Sequence, residues 1–345
     1  MRVAITADLH LRESNPERLE NLEVLIGQLH SEGIGQLIIA GDLFDRADAG
    51  YARLDSLVQR FPDIQCTVIP GNHDPEIRQE LFASDNVRVF SEPVMKRIDG
   101  RLFVFLPYRE GSTMGEAIAD LPNSEQLRSE RWILVSHGDF AAPRRKESGG
   151  ETGYFPLSRG DLARFKPARV ILGHIHVPNS PTAEVVYPGS PYPITADEYG
   201  QRRILLLDTG SAAVAGFPLT HPPVRVRAEI FLIPDGQEEQ QIRQQIQSVL
   251  CEQELTEKLV VQAVARGYSA SRARVKAFVE TFLAERGIPC DGIDLESLRV
   301  NDQQDLATLA DTVKQRIAGL RLDYEEPEEL RKAVLEKAFE IVYGA

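Results

Sequence analysis

Five short apolar runs, each ending in a side chain that can ligate or protonate, constrain this chain more than anything else in it. Val3-Ala-Ile-Thr-Ala7 runs into Asp8-Leu-His10, and Gln36-Leu-Ile-Ile-Ala40 into Gly41-Asp42-Leu-Phe-Asp45. Thr67-Val-Ile-Pro70 leads to Gly71-Asn72-His73-Asp74, Trp132-Ile-Leu-Val-Ser136 to His137-Gly138, and Arg169-Val-Ile-Leu172 to Gly173-His174-Ile-His176. Near-continuous apolar runs of this length are strands buried on both faces of a sheet. Strands of one α/β sheet present their carboxyl ends along a common edge, where ligands bind. Five motifs distant in sequence are therefore expected to converge, and they hold five of the seven histidines.

The donors that would meet there are four imidazoles, two carboxylates and an amide oxygen: His10, His137, His174, His176, Asp8, Asp42 and Asn72. The i, i+2 spacing of Asp8/His10 and of His174/His176 puts both members of a pair on one side of an extended chain. The lack of a thiolate among them argues against a structural zinc finger, and the mixed N/O set suits Mn, Fe or Zn with open positions. Seven ligands exceed one ion but suit two, provided that Asp42 bridges them. Two cations about 3.5–4 Å apart can hold a nucleophilic hydroxide and clamp both oxygens of an in-line displacement at phosphorus.

Around these motifs the chain alternates strand and helix patterns. Ser14-Asn-Pro-Glu17 has the form of a capping box opening a helix to about Leu29, and a second helix is expected near Tyr51 to Phe61. Asp99-Gly100 between Val94–Ile98 and Leu102–Leu106 predicts a hairpin, and further strands are expected at Val185–Tyr187 and Arg203–Leu207. The expected architecture is α/β, an α+β sandwich of two mixed β-sheets flanked by helices, over residues 1–220. After His221-Pro-Pro223 comes a small α/β unit, 221–300. It reads as strands Val224–Leu232 and Lys258–Ala263, helices Glu238–Leu250 and Ser269–Glu285, and a last strand near Leu298. Residues 301–345 read as two helices, with apolar stripes Leu306, Leu309, Val313, Ile317, Leu320 and Leu330, Val334, Ala338, Val342.

No apolar run approaches the roughly 20 residues that a bilayer span requires, and the amino terminus meets charge too soon for a secretory signal. Cys66, Cys251 and Cys290 form no CxxC pair, which fits a reducing cytoplasm better than a disulfide framework. The net charge of −13 weighs against nucleic acid as a partner, although bound cations reverse the charge of acidic ligands locally.

The five motifs, in this order, resemble those of the calcineurin-like metallophosphoesterase superfamily. The resemblance implies that Asp8, His10, Asp42 and His176 hold one metal and that Asp42, Asn72, His137 and His174 hold the other. It makes His73 the catalytic histidine that protonates the leaving oxygen, Asp74 the group orienting its ring, and Asp45 a carboxylate supporting the ligands from behind. An Asp after a strand is also often just a cap or turn residue. Within the superfamily, Gly41-Asp-Leu-Phe-Asp-Arg46, Leu106-Pro-Tyr108, Val186-Tyr-Pro-Gly-Ser-Pro191 and Glu198-Tyr-Gly200 resemble SbcD-type nuclease subunits. The order of parts agrees: phosphoesterase domain, capping domain, C-terminal helices.

That finer resemblance implies a Mn²⁺-dependent (or Fe²⁺- or Zn²⁺-dependent) exo/endonuclease acting on DNA ends in repair. An SbcC-type coiled-coil ATPase would dock on the final helices. A homodimer is compatible with it, and no membrane partner is implied. Two features pull the other way. Residues 221–300 carry 10 Lys/Arg against 12 Asp/Glu, and the chain is short for such a subunit. Arg272, Arg274 and Lys276 could contact phosphate or form a solvated helix face. Arg144, Arg145 and Lys146, ahead of Gly149-Gly150, could be a phosphate-contacting loop or an ordinary insertion. The tail stripes could dock a partner or pack on themselves. The competing enzyme reading is a small-molecule or cyclic-nucleotide phosphodiesterase. A non-catalytic scaffold is disfavoured because no ligand is missing, and a lipid-precursor hydrolase because no membrane-facing amphipathic segment is found.

Overall fold

The structure, a computed structural model, describes residues 1–45, 50–122, 124–141, 153–195, 198–221, 224–252, 259–300, 307–320 and 327–343. It divides into two compact units, Met1–Pro222 and Pro223–Ala345.

The first unit opens with β1 (Arg2–Thr6), α1 (Pro16–Ser31), β2 (Gln36–Ala40), α2 (Tyr51–Gln59), β3 (Gln65–Ile69) and β4 (Val87–Val89). Then follow β5 (Val94–Ile98), β6 (Arg101–Leu106), α3 (Met114–Ala119), β7 (Trp132–His137), α4 (Arg159–Phe165) and β8 (Arg169–Gly173). The unit closes with β9 (Val185–Val186), β10 (Arg203–Asp208) and β11 (Val214–Pro218). One sheet has the order β11-β10-β1-β2-β3-β4 and the other β5-β6-β7-β8-β9. Both are mixed. In the first, β1 to β4 are parallel while β10 is antiparallel to β1 and to β11. In the second, β5 is antiparallel to β6, and β6 to β9 are parallel.

The expected two-sheet α/β fold is therefore present, and the period of the strands explains its layers. Alternate residues point inward: Val3 and Ile5, Ile38 and Ala40, Phe103 and Phe105, Ile133 and Val135 share one core between the sheets. The residues between them face outward. Leu37 and Ile39 meet Leu22, Leu25, Ile26 and Leu29 of α1. On the other side Trp132 and Leu134 meet Met114, Ala117 and Ile118 of α3. With both faces covered, each strand reads as a continuous apolar run. Complete burial of one such side chain is worth roughly 1.5–3 kcal/mol, so these layers lock the five strand ends along one edge.

The expected hairpin is present: Asp99 (φ 47°) and Gly100 (φ 77°) both adopt the left-handed region a two-residue turn needs. The capping box at Ser14 is not formed. Asn15 precedes the helix with no side-chain cap, and Pro16 is the first helical residue. Its fixed φ suits a first turn whose amide has no intrahelical acceptor to lose. True capping boxes occur at Thr113/Glu116 and Ser158/Asp161, opening α3 and α4.

The second unit contains β12 (Val224–Leu232), α5 (Glu238–Glu252), β13 (Leu259–Ser269), α6 (Arg272–Ala284), β14 (Cys290–Asp294), β15 (Leu298–Val300), α7 (Ala307–Ala318) and α8 (Pro327–Tyr343). Its strands are all parallel around β13, which pairs β12 on one side and β14, then β15, on the other. Ile242 and Ile246 of α5 and Val275, Val279 and Phe282 of α6 pack on the sheet's buried face. The last two helices belong to this unit: Phe339 is fully buried with Ile233 and Tyr268, and Val313 and Leu335 pack around them. Two boundaries differ from expectation. β13 extends to Ser269, and α6 begins only at Arg272, with Ser271 as its cap. Among the described residues, no helix is long and apolar enough to cross a membrane.

Candidate metal centre

All seven expected donors meet at the carboxyl ends of the first unit's strands. Asp8 follows β1, Asp42 follows β2, Asn72 follows β3, His137 ends β7, and His174 follows β8. Asp8 (φ 56°), His10 (φ 44°), Asp42 (φ 52°) and His174 (φ 97°) lie in the left-handed backbone region. Such conformations cost about 1–3 kcal/mol each and persist where the surroundings over-determine them, typically at functional sites. The glycines of the motifs make the crowding feasible. A Cβ on Gly71 would lie 2.1 Å from Asp42 Oδ1, and one on Gly41 would lie 2.1 Å from His137 Nδ1.

Hydrogen bonds behind the imidazoles decide which nitrogen faces inward. His10 Nδ1 lies 3.2 Å from Asp45 Oδ1, and His176 Nδ1 lies 3.0 Å from Glu198 Oε1. A carboxylate can only accept, so each Nδ1 carries its proton and each Nε2 presents a lone pair. Those two Nε2 atoms face one another at 3.2 Å, with Asp42 Oδ2 3.6 Å from that of His10. Likewise His137 Nδ1 donates to the Ala40 carbonyl at 2.9 Å. Its Nε2 therefore faces Asn72 Oδ1 at 2.9 Å and Asp42 Oδ2 at 3.3 Å. His174 Nδ1 reaches the same Asn72 oxygen at 3.1 Å, while its backbone N–H donates to Asp8 Oδ1 at 3.0 Å.

The arrangement is thus two knots of buried and half-buried acceptors aimed at each other, a donor set whose chemistry calls for cations. The groups Asp8/His10/His176, His10/Asp42/His73 and Asp8/Asp42/His137 each bring their ligand atoms within 4.8 Å of one another. The titration behaviour says the same. Burial raises Asp8 to about 6, with Asp42 adding to it. Burial lowers His10 to about 4. It lowers His174 to about 4 as well, His137 contributing. Burial would lower His137 too, but the carboxylates of Asp42 and Asp8 outweigh it and push the imidazole up to about 9. The carboxylates thus favour positive charge at this point of the site.

His73 is half-exposed at the rim, its ring edge-on to that of His10 at 4.8 Å. The partner of its Nδ1 is Asp45, at 3.5 Å. That corrects the expectation that Asp74 orients this ring. Asp74 is buried, and its two oxygens accept the backbone N–H groups of Gly71 at 2.7 Å and Phe44 at 3.1 Å. It latches the Gly71–Asp74 loop to the Gly41–Asp45 loop, and burial raises its pKa to about 6. Asp45 touches His10, His73 and Arg12, the last at 2.9 Å. A side chain adjacent in sequence can point away from its neighbour, whereas one 28 residues distant can meet it.

Sequence reasoning gave no role to Glu198, Arg18 or Asp139. Glu198 backs His176, Arg18 Nη1 donates to the His10 carbonyl at 2.6 Å, and Asp139 Oδ1 lies 3.7 Å from His174 Nε2. Glu198 stood in a recognised motif, but nothing in spacing ties it to a histidine 22 residues earlier. Of the expected substrate contacts, Arg144, Arg145 and Lys146 fall outside the described residues. In the second unit Arg272 donates through Nε to the Leu298 carbonyl at 2.7 Å, and Lys276 lies 3.9 Å from Glu280. Arg274 is exposed.

Fold and site together define a two-sheet α/β scaffold whose strand ends carry candidate ligands for two metal ions. The sequence matches the calcineurin-like phosphoesterase family over residues 1–178, more than half of its length, and the chain belongs to that family. The putative phosphoesterase 078R of Invertebrate iridescent virus 3 is 26% identical over 207 residues, covering 54% of this chain and 56% of that protein. The chain thus spans little more than half the length of this relative. An archaeal phosphodiesterase of known structure shows 15% identity and a TM-score of 0.34, over 64% of this chain and 100% of its own. A dimetal phosphatase from Danio rerio shows 12% identity and a TM-score of 0.38, over 64% of this chain and 99% of its own.

Proposed function

We propose that this chain is a Mn²⁺-dependent phosphodiesterase that cuts DNA as SbcD-type subunits do, with an SbcC-type ATPase as its partner. The observation that carries the enzymatic part is the pair of acceptor clusters, with His73 at their open rim. Asp8, His10, Asp42 and His176 would hold one ion and Asp42, Asn72, His137 and His174 the other. When bound, such a pair neutralises phosphoester charge and acidifies the attacking water. His73 serves the leaving group. Nδ1 faces the Asp45 carboxylate, so the protonated ring would offer its Nε2–H to the departing oxygen. Asp74 keeps the loop carrying Asn72 and His73 against that of Asp42, so the acid stays in register with the ligands.

The DNA part rests on the motif resemblance to SbcD-type subunits. The acidic balance of the second unit favours the second reading, a small phosphodiester as substrate. The test is to incubate metal-free protein with Mn²⁺ and end-labelled duplex DNA, with a chromogenic bis-ester in parallel. Mn-dependent shortening of the DNA is expected. Bis-ester turnover with intact DNA, unchanged when the ATPase is added, would reject the nuclease in favour of the small substrate. His73→Ala should abolish cleavage while two Mn²⁺ still bind, and loss of both metals would contradict its role as leaving-group acid.

A further inference from the structure

The two clusters are not built alike. In the Asp8/His10/Asp42/His176 cluster both imidazoles are backed by carboxylates, Asp45 behind His10 and Glu198 behind His176. In the other, His137 is backed by the neutral carbonyl of Ala40, and the outer nitrogen of His174 lies 3.7 Å from Asp139, beyond hydrogen-bond reach. The donors differ as well: the first cluster has two carboxylates, whereas the second shares one of them and adds only the neutral amide of Asn72.

Glu198 is committed to this task. It is 4% exposed. Besides His176 it accepts the Ile194 N–H at 3.0 Å and the Thr195 hydroxyl at 3.2 Å, and it pairs with Arg202 at 3.1 Å. Arg202, 3% exposed, also donates to the main-chain carbonyl of His176 at 3.2 Å. One buried ion pair therefore fixes both the ring and the backbone of a single histidine. A carboxylate behind a ligating imidazole fixes its tautomer, restrains its rotation and makes its inner nitrogen a stronger donor.

From this asymmetry, and on the two-ion reading above, we infer that Glu198 and Arg202 are positioning residues for His176, and that the Asp8/His10/Asp42/His176 position binds its ion more tightly and fills first. The weaker position, on His137, His174 and Asn72, then governs how much of the protein holds both ions when metal is scarce.

The test is calorimetric titration of the metal-free full chain with Mn²⁺, with Mn²⁺ electron paramagnetic resonance as a second readout. Two binding steps are expected. Glu198→Gln should weaken the tighter step about 10- to 100-fold and leave the weaker step within about twofold. Asp45→Asn, at a partly exposed carboxylate whose loss threatens folding less, should weaken that same step. His174→Ala should remove the weaker step alone, leaving at one equivalent the mononuclear spectrum of the unmodified protein. Weakening of the looser step by Glu198→Gln or Asp45→Asn, or survival of both steps unchanged in a folded variant, would overturn the inference. Binding of fewer than two Mn²⁺ by the unmodified chain would instead overturn the two-ion reading beneath it.

Discussion

Asp74→Ala separates the latch seen here from the ring-orienting role that sequence adjacency implies. The carboxylate accepts two buried backbone donors, the N–H groups of Gly71 and Phe44. Alanine offers neither an acceptor nor room for a full water network. An orphaned buried donor costs about 1–3 kcal/mol, so two give roughly 2–6 kcal/mol. Part of this is returned because a carboxylate no longer has to be buried, and about 2–4 kcal/mol of destabilisation is expected. That is a large share of the 5–15 kcal/mol that keeps a domain folded. Urea unfolding of chelator-treated protein, followed by fluorescence, measures it directly, because the single tryptophan, Trp132, is buried in β7 of the same unit. Metal affinity should fall too, since the latched loops carry Asp42 and Asn72. A change below about 1 kcal/mol accompanied by loss of turnover would refute the latch and return Asp74 to His73.

Four further outcomes follow from the structure. Gly71→Ala should abolish binding of at least one Mn²⁺ by calorimetry, because its Cβ would lie 2.1 Å from Asp42 Oδ1 and 2.4 Å from the Asp42 amide nitrogen. Mn²⁺ at about 100 times the Kd of the weaker position should stabilise the first unit by at least about 5.4 kcal/mol, about 2.7 kcal/mol for each site, seen as a rise of roughly 10–20 °C in the melting of Trp132 fluorescence, which chelator reverses. Phe339→Ala, at a fully buried ring between α8 and the sheet of the second unit, should cost about 3–5 kcal/mol in unfolding followed by circular dichroism. Burial pushes the Cys66 thiol up to about 12, so at pH 8 it stays protonated and enclosed. A disulfide reagent should then label the exposed Cys251 and Cys290 quickly and Cys66 only after unfolding.

The first unit was legible because its strands are covered on both sides. Runs such as Trp132–Ser136 carry no polar interruption, and each ends where a ligand begins. The second unit was harder for the converse reason. β13 continues to Ser269, but Arg266 and Gly267 break the apolar run, so only its first half looked like a strand. β14, Cys-Asp-Gly-Ile-Asp, has the composition of a turn and becomes a strand only because β13 offers it a parallel edge. Around the candidate metal centre, the side chains that converge at the strand ends were readable from the motifs. The groups standing behind them were not. The partners of His10, His176 and His137 are Asp45, Glu198 and the Ala40 carbonyl, respectively 35, 22 and 97 residues away. No local pattern encodes such distances; they come from the stacking of the sheets.

Diffraction from crystals soaked in Mn²⁺, with anomalous data collected at the manganese edge, tests the central claim most directly. The account predicts two anomalous peaks about 3.5–4 Å apart, one among Asp8, His10, Asp42 and His176 and the other among Asp42, Asn72, His137 and His174. A single peak at saturating Mn²⁺, or none between these side chains, would contradict it.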